Sequence, residues 1–396
     1  MSRDCCSWDG VICDEMTGNV IELNLTCDQL VGKIDSNSGL FELSHLQILD
    51  LSMNNFSNSH ISPKFGRFSS LMHLDLSFSY FSSQIPSEIS HFSKLQSLIL
   101  SQSVEIKLRL VTRDFKLILQ NLTQLRVLDL SYINISSTIP LNISSHLTTL
   151  KLGETELHGI IPESIFHLPN METLHLYQND QLSGNSLNGI IPLWAFSFPS
   201  LSVLDLSNNH FSGQLEDFKS NSLSWIDLED NHLQGHLPKS IQNLVRLTLL
   251  DLLSNNFSGH VDVSLFSNLK NLRYLSLSYN SISLTNKNKV NVTLPGSLST
   301  LRLAACEVRE IEFLRSAKKL SDLDLSNNKL QGRIPDWAWS NWMFSLGSLN
   351  ISQNMLTSVD SIPLQSIETL DLQSNLLQGS LPIPPNSIQI YKLVEN

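Results

Sequence analysis

The sequence is poor in charged and aromatic side chains, and it lacks long apolar runs. Charged residues make up 16% and aromatic residues 7% of the 396 positions, whereas hydrophobic residues reach 41%. The chain is therefore too apolar to be disordered. No run approaches the roughly 18 consecutive apolar residues of a membrane span, and no charged stretch leads into the apolar core of a signal peptide. We expect neither feature within this chain.

Basic residues and catalytic motifs are also scarce. The 26 Lys and Arg stand against 37 Asp and Glu, a net charge of −11. Nucleic-acid binding needs clustered Lys and Arg, so we expect no nucleic-acid partner. The sequence contains no phosphate-binding loop, no H-E-x-x-H, no C-x-x-C pair, no acidic calcium loop and no kinase signature. We therefore expect no enzyme, no metal site and no cofactor.

Leucine is the commonest residue, and it recurs in a fixed pattern. The pattern L-x-x-L-x-L-x-x-N-x-L occurs about sixteen times, at a spacing of about 21 to 30 residues. Clear copies start at Leu46, Leu201 and Leu320, while the first starts at Val20 and the last at Ile388. This is the period of a leucine-rich repeat.

Each repeat can be interpreted physically. The L-x-L alternation predicts a short strand whose leucines point to one side, and stacked repeats bury that side together. The asparagine that follows can satisfy backbone groups of adjacent turns. Cys306 takes this position in its repeat, where we expect a buried thiol. The sequence thus predicts an α/β-type leucine-rich-repeat solenoid, a curved right-handed coil with a parallel concave β-sheet and an irregular or 3-10 convex side.

A second pattern, L-x-G-x-I/L-P, follows the first in several repeats, as in Leu157 to Pro162 and Leu233 to Pro238. Glycine permits backbone conformations that other residues resist, and proline stops a strand from extending. This sequence pattern resembles that of the plant-specific subclass of leucine-rich repeats. The alternative of a helical bundle would need sustained 3.6-residue periodicity, which we do not find.

Residues 5 to 13 read C-C-S-W-D-G-V-I-C, which resembles the end of the amino-terminal cap of plant extracellular leucine-rich-repeat proteins. We expect a partial cap over residues 1–19 and about sixteen repeats over 20–396, the last one incomplete. The resemblance implies a disulfide between Cys6 and Cys13. Cys5 lacks its usual upstream partner, so Cys27 either bonds to it or is free.

Eight N-x-S/T triplets are candidate glycosylation sites, which are used only in the secretory pathway. With the cap, they favour a secreted protein over a cytosolic one. Both ends look cut, and we expect a fragment or truncated product of a longer protein. The candidate sites are Asn24, Asn55, Asn121, Asn134, Asn142, Asn256, Asn291 and Asn350.

Aspartate recurs inside the L-x-L unit and has two interpretations. It could form an acidic strip that attracts a basic ligand, or it could be the ordinary text of the repeat. Carboxylates on adjacent strands would stand about 5 Å apart, which predicts raised pKa values. The positions are Asp50, Asp75, Asp129, Asp205, Asp227, Asp251, Asp324 and Asp371.

Large or charged residues between and just after the strand leucines are candidate ligand contacts, because these side chains point away from the core. We expect Trp225, Tyr274 and Tyr279 to be able to share one patch. The long intervals Leu95 to Leu125 and Met171 to Leu201 predict insertions, which either touch partners or are neutral. The candidates are Phe78, Tyr132, Lys151, His175, Tyr177, Trp225, Glu229, Asp230, Tyr274, Tyr279 and Arg302.

Together with the stretches 61–66 and 87–90, the cap, the triplets and the repeat text resemble plant leucine-rich-repeat receptor-like proteins of the disease-resistance class. The resemblance implies recognition of a peptide or protein ligand at the outer face of the plasma membrane. It also implies a membrane anchor outside this chain and signalling through leucine-rich-repeat receptor kinases. Two alternatives stay open: a secreted inhibitor of pathogen cell-wall-degrading enzymes, which would be shorter, and the ectodomain of a receptor kinase.

Overall fold

The computed structural model describes residues 4–57, 59–103, 108–178, 187–286, 294–359, 362–379 and 383–393. The chain divides into two compact units. The first comprises Met1–Gly189 with Asn208–His210, and the second comprises Ile190–Ser207 with Phe211–Asn396. The candidate glycosylation site Asn291 and parts of both predicted insertions, residues 104–107 and 179–186, lie outside the described residues.

A parallel sheet built from the L-x-L segments forms the main face of the first unit. Each strand pairs in register with the next, so that Leu49 lies opposite Leu74 and Leu74 opposite Leu98. All three leucines are at most 1% exposed, as expected when stacked repeats bury a common side. The strands are Val20–Asn24, Ile48–Asp50, His73–Asp75, Ser97–Ile99, Val127–Asp129, Thr149–Lys151 and Thr173–His175.

The second unit repeats this arrangement. Leu250, Leu275 and Leu301 are in register on successive strands and are buried. The predicted leucine-rich-repeat fold is therefore confirmed in each unit. The strands are Val203–Asp205, Trp225–Asp227, Leu249–Asp251, Tyr274–Ser276, Thr300–Arg302, Asp322–Asp324, Ser348–Asn350, Thr369–Asp371 and Ile390–Lys392.

The side opposite the strands consists mainly of short 3-10 helices, as the sequence predicts. In the first unit they are Gly39–Glu42, Pro63–Arg67, Ser87–His91 and Glu163–His167, and a further 3-10 helix, Cys5–Ser7, precedes the first strand. In the second unit they are Leu193–Phe196, Lys239–Asn243, Val263–Phe266 and Glu312–Leu314. The second unit also has an α-helix here, Asp336–Trp342.

The first predicted insertion contains an α-helix, Thr112–Asn121, that we did not expect from the sequence. Phe115, Ile118 and Leu119 are buried on one face of it, at the three- and four-residue spacing of an amphipathic helix. Three apolar positions make too short a signal to stand out beside the repeat pattern.

The segments after the L-x-L strands, which carry the second sequence pattern in several repeats, form additional short parallel strands. Gly235 shows why glycine is needed, because it has φ +84° and an added Cβ would lie 2.8 Å from Cγ of Gln214 in the preceding repeat. The strands are Ser83–Gln84, Leu108–Arg109, Gly159–Ile160, Leu187–Ile190, His210–Gln214, His232–Gly235, Asn256–Asp262, Ser281–Thr285, Gln331–Arg333 and Met355–Ser358.

The asparagines of the repeat pattern connect neighbouring repeats by hydrogen bonds. The Asn328 amide donates to the carbonyl oxygens of Leu303, Leu325 and Ser326 at 2.8–2.9 Å. Its Oδ1 accepts from the backbone N–H groups of Cys306 and Val308. One side chain thus satisfies five buried backbone groups, which is the function that the pattern predicts for it.

Cys306 replaces asparagine in its own repeat. It is 0% exposed, and its Sγ lies 3.5 Å and 3.6 Å from the carbonyl oxygens of Leu277 and Ala304. Burial, with a smaller contribution from the charge of Asp324, raises the pKa of this thiol to about 12. The prediction of a buried structural thiol is confirmed.

At the start of the first unit, the strand Val11–Cys13 pairs antiparallel with Val20–Asn24. A disulfide joins Cys6 and Cys13, with Cα atoms 5.5 Å apart, which is the pairing that the resemblance implies. Cys5 and Cys27 are free cysteines, so the alternative bond between them is absent from the structure.

Candidate functional site

The strand aspartates have a structural role in most repeats. Oδ1 of Asp50 accepts hydrogen bonds from the backbone N–H and the hydroxyl of Ser52, at 2.9 Å and 2.6 Å. Asp75 and Ser77 repeat this geometry. The carboxylate caps the chain where it leaves the strand, as Asp side chains do in turns. This contact explains the L-D-L-S text without a ligand.

Three strand aspartates of the second unit, Asp227, Asp251 and Asp371, lack the serine of this arrangement. Asp227 and Asp251 accept the backbone N–H groups of Glu229 and Leu253, but the turn supplies no serine hydroxyl because no serine follows them. Oxygen atoms of Asp227, Glu229 and Asp251 lie within 4.8 Å of one another. Three acidic side chains are thus concentrated on the strand face of adjacent repeats.

Burial is the main cause of the shifted titration of this acidic cluster. It raises the pKa of Asp227 to about 8, with further contributions from the charges of Asp205 and Asp251. The pKa of Asp251 is also raised, again chiefly by burial. The sequence predicts raised pKa values from charge repulsion between strands; for Asp227 and Asp251 the pKa is raised, and desolvation is the larger cause.

Tyr274 and Arg302 lie on the strands of the next two repeats, in a diagonal line from the acidic cluster. Burial raises the pKa of Tyr274, and the charge of Asp251 and hydrogen bonding to it raise this pKa further. The Arg302 guanidinium lies 5.8 Å from the centre of the Tyr274 ring. Its Nη2 and Nε donate to Oδ2 of Asp322 at 2.8 Å and 3.2 Å. These contacts hold two large side chains in fixed positions.

Trp225 lies in the same row as Tyr274, with Leu249 in register between them. Its side chain is 39% exposed, next to the acidic cluster of Asp227, Glu229 and Asp251. We call these residues, with Tyr274 and Arg302, the aromatic-acidic face. Asp322 positions Arg302 and was missed from the sequence, because a diagonal partner requires the spacing of the turns.

A second group of candidates comes together in the first unit. The rings of Tyr132 and Tyr177 are 6.4 Å apart, and those of His175 and Tyr177 are 6.3 Å apart. Nζ of Lys151 lies 3.8 Å from Oδ2 of Asp129. A Cβ on Gly153 would lie 2.4 Å from the Tyr177 ring, so only glycine permits this close packing. Gly153 is another residue that the sequence analysis missed.

Six candidates lie just after a strand rather than on it, and four of these six have a left-handed backbone. Phe78, Tyr132, Asp230 and Tyr279 have positive φ angles between 48° and 65°, which is uncommon for residues other than glycine. Each backbone N–H donates to a carbonyl of the next repeat, at 2.9 to 3.1 Å. Tyr279, at 57% exposed, lies in this turn, whereas Trp225 and Tyr274 lie on strands; the patch shared by these three residues stays a prediction.

The candidate glycosylation sites differ in exposure. Asn24, Asn134 and Asn350 are partly buried, and Asn350 replaces aspartate in the turn contact with Ser352. The remaining described sites are exposed, namely Asn55, Asn121, Asn142 and Asn256. All eight remain predictions.

Comparison with known proteins identifies the family. The leucine-rich-repeat family model matches residues 45–68, 70–92, 200–221, 222–244 and 319–341. Receptor-like protein Cf-9 of Solanum pimpinellifolium is 57% identical over 182 residues, 46% of this chain and 21% of that protein. Receptor-like protein 6 of Arabidopsis thaliana is 31% identical across 98% of this chain and 52% of its own length. The chain belongs to the plant leucine-rich-repeat receptor-like proteins.

Solved structures similar to this receptor-like protein are plant receptor ectodomains. The ectodomain of the Arabidopsis receptor kinase HAESA, in complex with an extended IDA peptide hormone, matches with a TM-score of 0.72 and 26% identity over 99% of this chain and 73% of that one. The peptide hormone receptor RGFR1 in complex with RGF2 matches with a TM-score of 0.62 and 25% identity, over 98% and 63% of the two chains.

The chain spans about a fifth of the length of Receptor-like protein Cf-9 and about half of the length of Receptor-like protein 6. Among its described residues, no helix is long and apolar enough to cross a membrane.

Proposed function

We propose that this chain is the extracellular ligand-recognition region of a plant immune receptor-like protein. It binds a peptide or protein on the strand face and signals through partner leucine-rich-repeat receptor kinases at the plasma membrane. The similarity to two peptide-bound receptor ectodomains supports the ligand class, and the Cf-9 relative supports a receptor-like protein.

The observation that carries the proposal is the aromatic-acidic face. Trp225 exposes part of its ring beside the carboxylates of Asp227, Glu229 and Asp251. A lysine or arginine side chain placed there would meet an aromatic face and the carboxylates of the cluster, and its positive charge would favour the ionised form of Asp227, which burial otherwise disfavours. Because the carboxyl groups are largely buried, solvent screens them less, and their attraction to a positively charged partner is stronger.

The side chains next to the acidic cluster are held in place by contacts within the protein. Arg302 is held by Asp322 and packs near Tyr274, so these side chains lose little freedom when a ligand binds. Lysine and arginine of the ligand would therefore be favoured beside Trp225, and an acidic group would be favoured only near Arg302.

Peptide selection tests the binding part of the proposal. A phage-displayed library of random peptides is selected against the immobilised secreted chain and against Trp225→Ala. We expect the wild type to enrich peptides with Lys or Arg, and Trp225→Ala to lose about tenfold in affinity for them. Phe344→Ala is the matched control, because Phe344 is 72% exposed and lies outside the aromatic-acidic face. Equal enrichment by all three proteins contradicts the proposal.

The immune part needs its own readout. The enriched peptide is infiltrated into leaves that express the complete receptor, and the burst of reactive oxygen is measured. A burst that the Trp225→Ala receptor fails to give supports signalling from this face. Tight binding without any burst contradicts the immune role and leaves the binding site intact.

A further inference from the structure

A shallow apolar hollow lies in the first unit, on the segments that follow three adjacent strands, Val20–Asn24, Ile48–Asp50 and His73–Asp75. Its lining includes Val31, Met53, Phe78 and Tyr80. These side chains are 80%, 59%, 44% and 45% exposed. Clustered exposure of this kind marks a surface that something covers.

An acceptor for a covalent modification lies in the same hollow. Asn55 is exposed, belongs to the triplet Asn55-Phe56-Ser57 and lines the hollow beside Met53. Its backbone N–H donates to the carbonyl of Leu30 at 2.8 Å, which fixes its position. Asn55 is therefore both exposed and held in place.

The hydrogen bonds of the Asn55 side chain leave its nitrogen available for glycosylation. Its Oδ1 accepts hydrogen bonds from the N–H and the hydroxyl of Ser57, at 3.1 Å and 2.5 Å. Within the described part of the chain, no group accepts a hydrogen bond from its Nδ2. The oxygen is thus engaged by the serine of the triplet while the nitrogen remains available.

We propose that Asn55 carries an N-linked glycan whose first N-acetylglucosamine packs on Phe78 and Tyr80. A lipid-diphosphate-linked oligosaccharide supplies the sugar. The Asn55 Nδ2 forms a bond to C1 of the sugar and loses a proton, while the bond from C1 to the diphosphate oxygen breaks and the lipid diphosphate leaves.

The geometry supports this occupant over a protein ligand. Phe78 and Tyr80 belong to the repeat after Asn55, about 4.8 Å along the coil by the spacing of paired strands. That distance is within the reach of the first sugar. Sugar C–H groups carry partial positive charge and are attracted to the negative face of an aromatic ring. Phe78 then supports the glycan and is not a ligand contact.

Oxidation of Met53 reports whether the glycan covers the hollow. The chain is secreted from plant or insect cells, and peptide mass spectrometry measures occupancy at Asn55 and the rate of Met53 oxidation by dilute peroxide. We expect Asn55 to be glycosylated and Met53 to oxidise about threefold faster or more in Asn55→Gln, since this oxidation follows exposure.

Three further samples separate covering from misfolding. Ser57→Ala removes the acceptor triplet but keeps Asn55, and should match Asn55→Gln. Asn121→Gln removes an exposed candidate site outside this hollow and should match the wild type. Trimming the wild-type glycan to a single sugar should preserve protection of Met53. An unmodified Asn55, or equal oxidation of Met53 in all samples, overturns the proposal.

Discussion

Replacement of Asp227 by asparagine should stabilise the protein, and the gain should grow with pH. Burial and the charges of Asp205 and Asp251 raise the pKa of Asp227 to about 8. Asparagine retains the oxygen that accepts the N–H of Glu229 but has no charge to desolvate. The substitution therefore removes an unfavourable charge while keeping the turn contact.

The size of the effect follows from proton linkage. The carboxyl titrates near 3.8 in the unfolded chain, so the folded state binds more protons than the unfolded state from there to about pH 8. The free energy of unfolding of the wild type must fall as pH rises through this window. The steepest possible slope is about 1.4 kcal/mol per pH unit. Because coupled acids share the titration and solvent screens part of the charge, we expect a total on the order of 2 to 3 kcal/mol.

Urea unfolding followed by circular dichroism at several pH values between 4 and 8 measures this difference. Asp324→Asn is the matched control. Asp324 accepts the same turn hydrogen bond, from Ser326, but its neighbours in register are Arg302 and Asn350 rather than acids. We expect a smaller change in the free energy of unfolding for the control. A pH-independent difference for Asp227→Asn, or equal pH dependence in both variants, would refute the reasoning.

Three other substitutions or treatments test the repeat structure. Asn328→Ala should lower the free energy of unfolding by about 2 to 4 kcal/mol, because it leaves several buried backbone groups unpaired; urea unfolding measures this loss. Gly235→Ala should cost about 1 to 2 kcal/mol in the same assay, since alanine resists the positive φ and its Cβ would meet Gln214. Cys306 should resist iodoacetamide at pH 8 in the native protein and react after unfolding, whereas exposed Cys27 should react at once; equal native rates would contradict the burial of the Cys306 thiol.

Much of the fold could be predicted because each repeat contains the residues that define its own strand and turn. The leucine spacing defines which side of a strand is buried, and the asparagine defines where buried backbone groups are paired. Cys306 was predictable for the same reason. The cap disulfide came from resemblance, since the sequence alone left the partners of Cys5 and Cys27 open.

The candidate site was harder to predict, because its contacts cross repeats. Sequence analysis identified Tyr274 and Arg302 as separate candidates, but not their approach to each other or the role of Asp322. Those contacts depend on the diagonal offset between strands. The turn positions of Phe78 and Tyr279 were similarly hidden, because a left-handed backbone at non-glycine residues leaves no compositional signal.

The sequence by itself determined the repeat, its buried leucines and the family, since these depend on local spacing. Only the tertiary structure decided which side chains meet. Residues separated by a whole repeat, such as Asn55 and Phe78, become neighbours through the stacking of turns. The same stacking buries Asp227 among other acids and converts an ordinary repeat aspartate into a perturbed one, because its charge loses water while gaining like-charged neighbours.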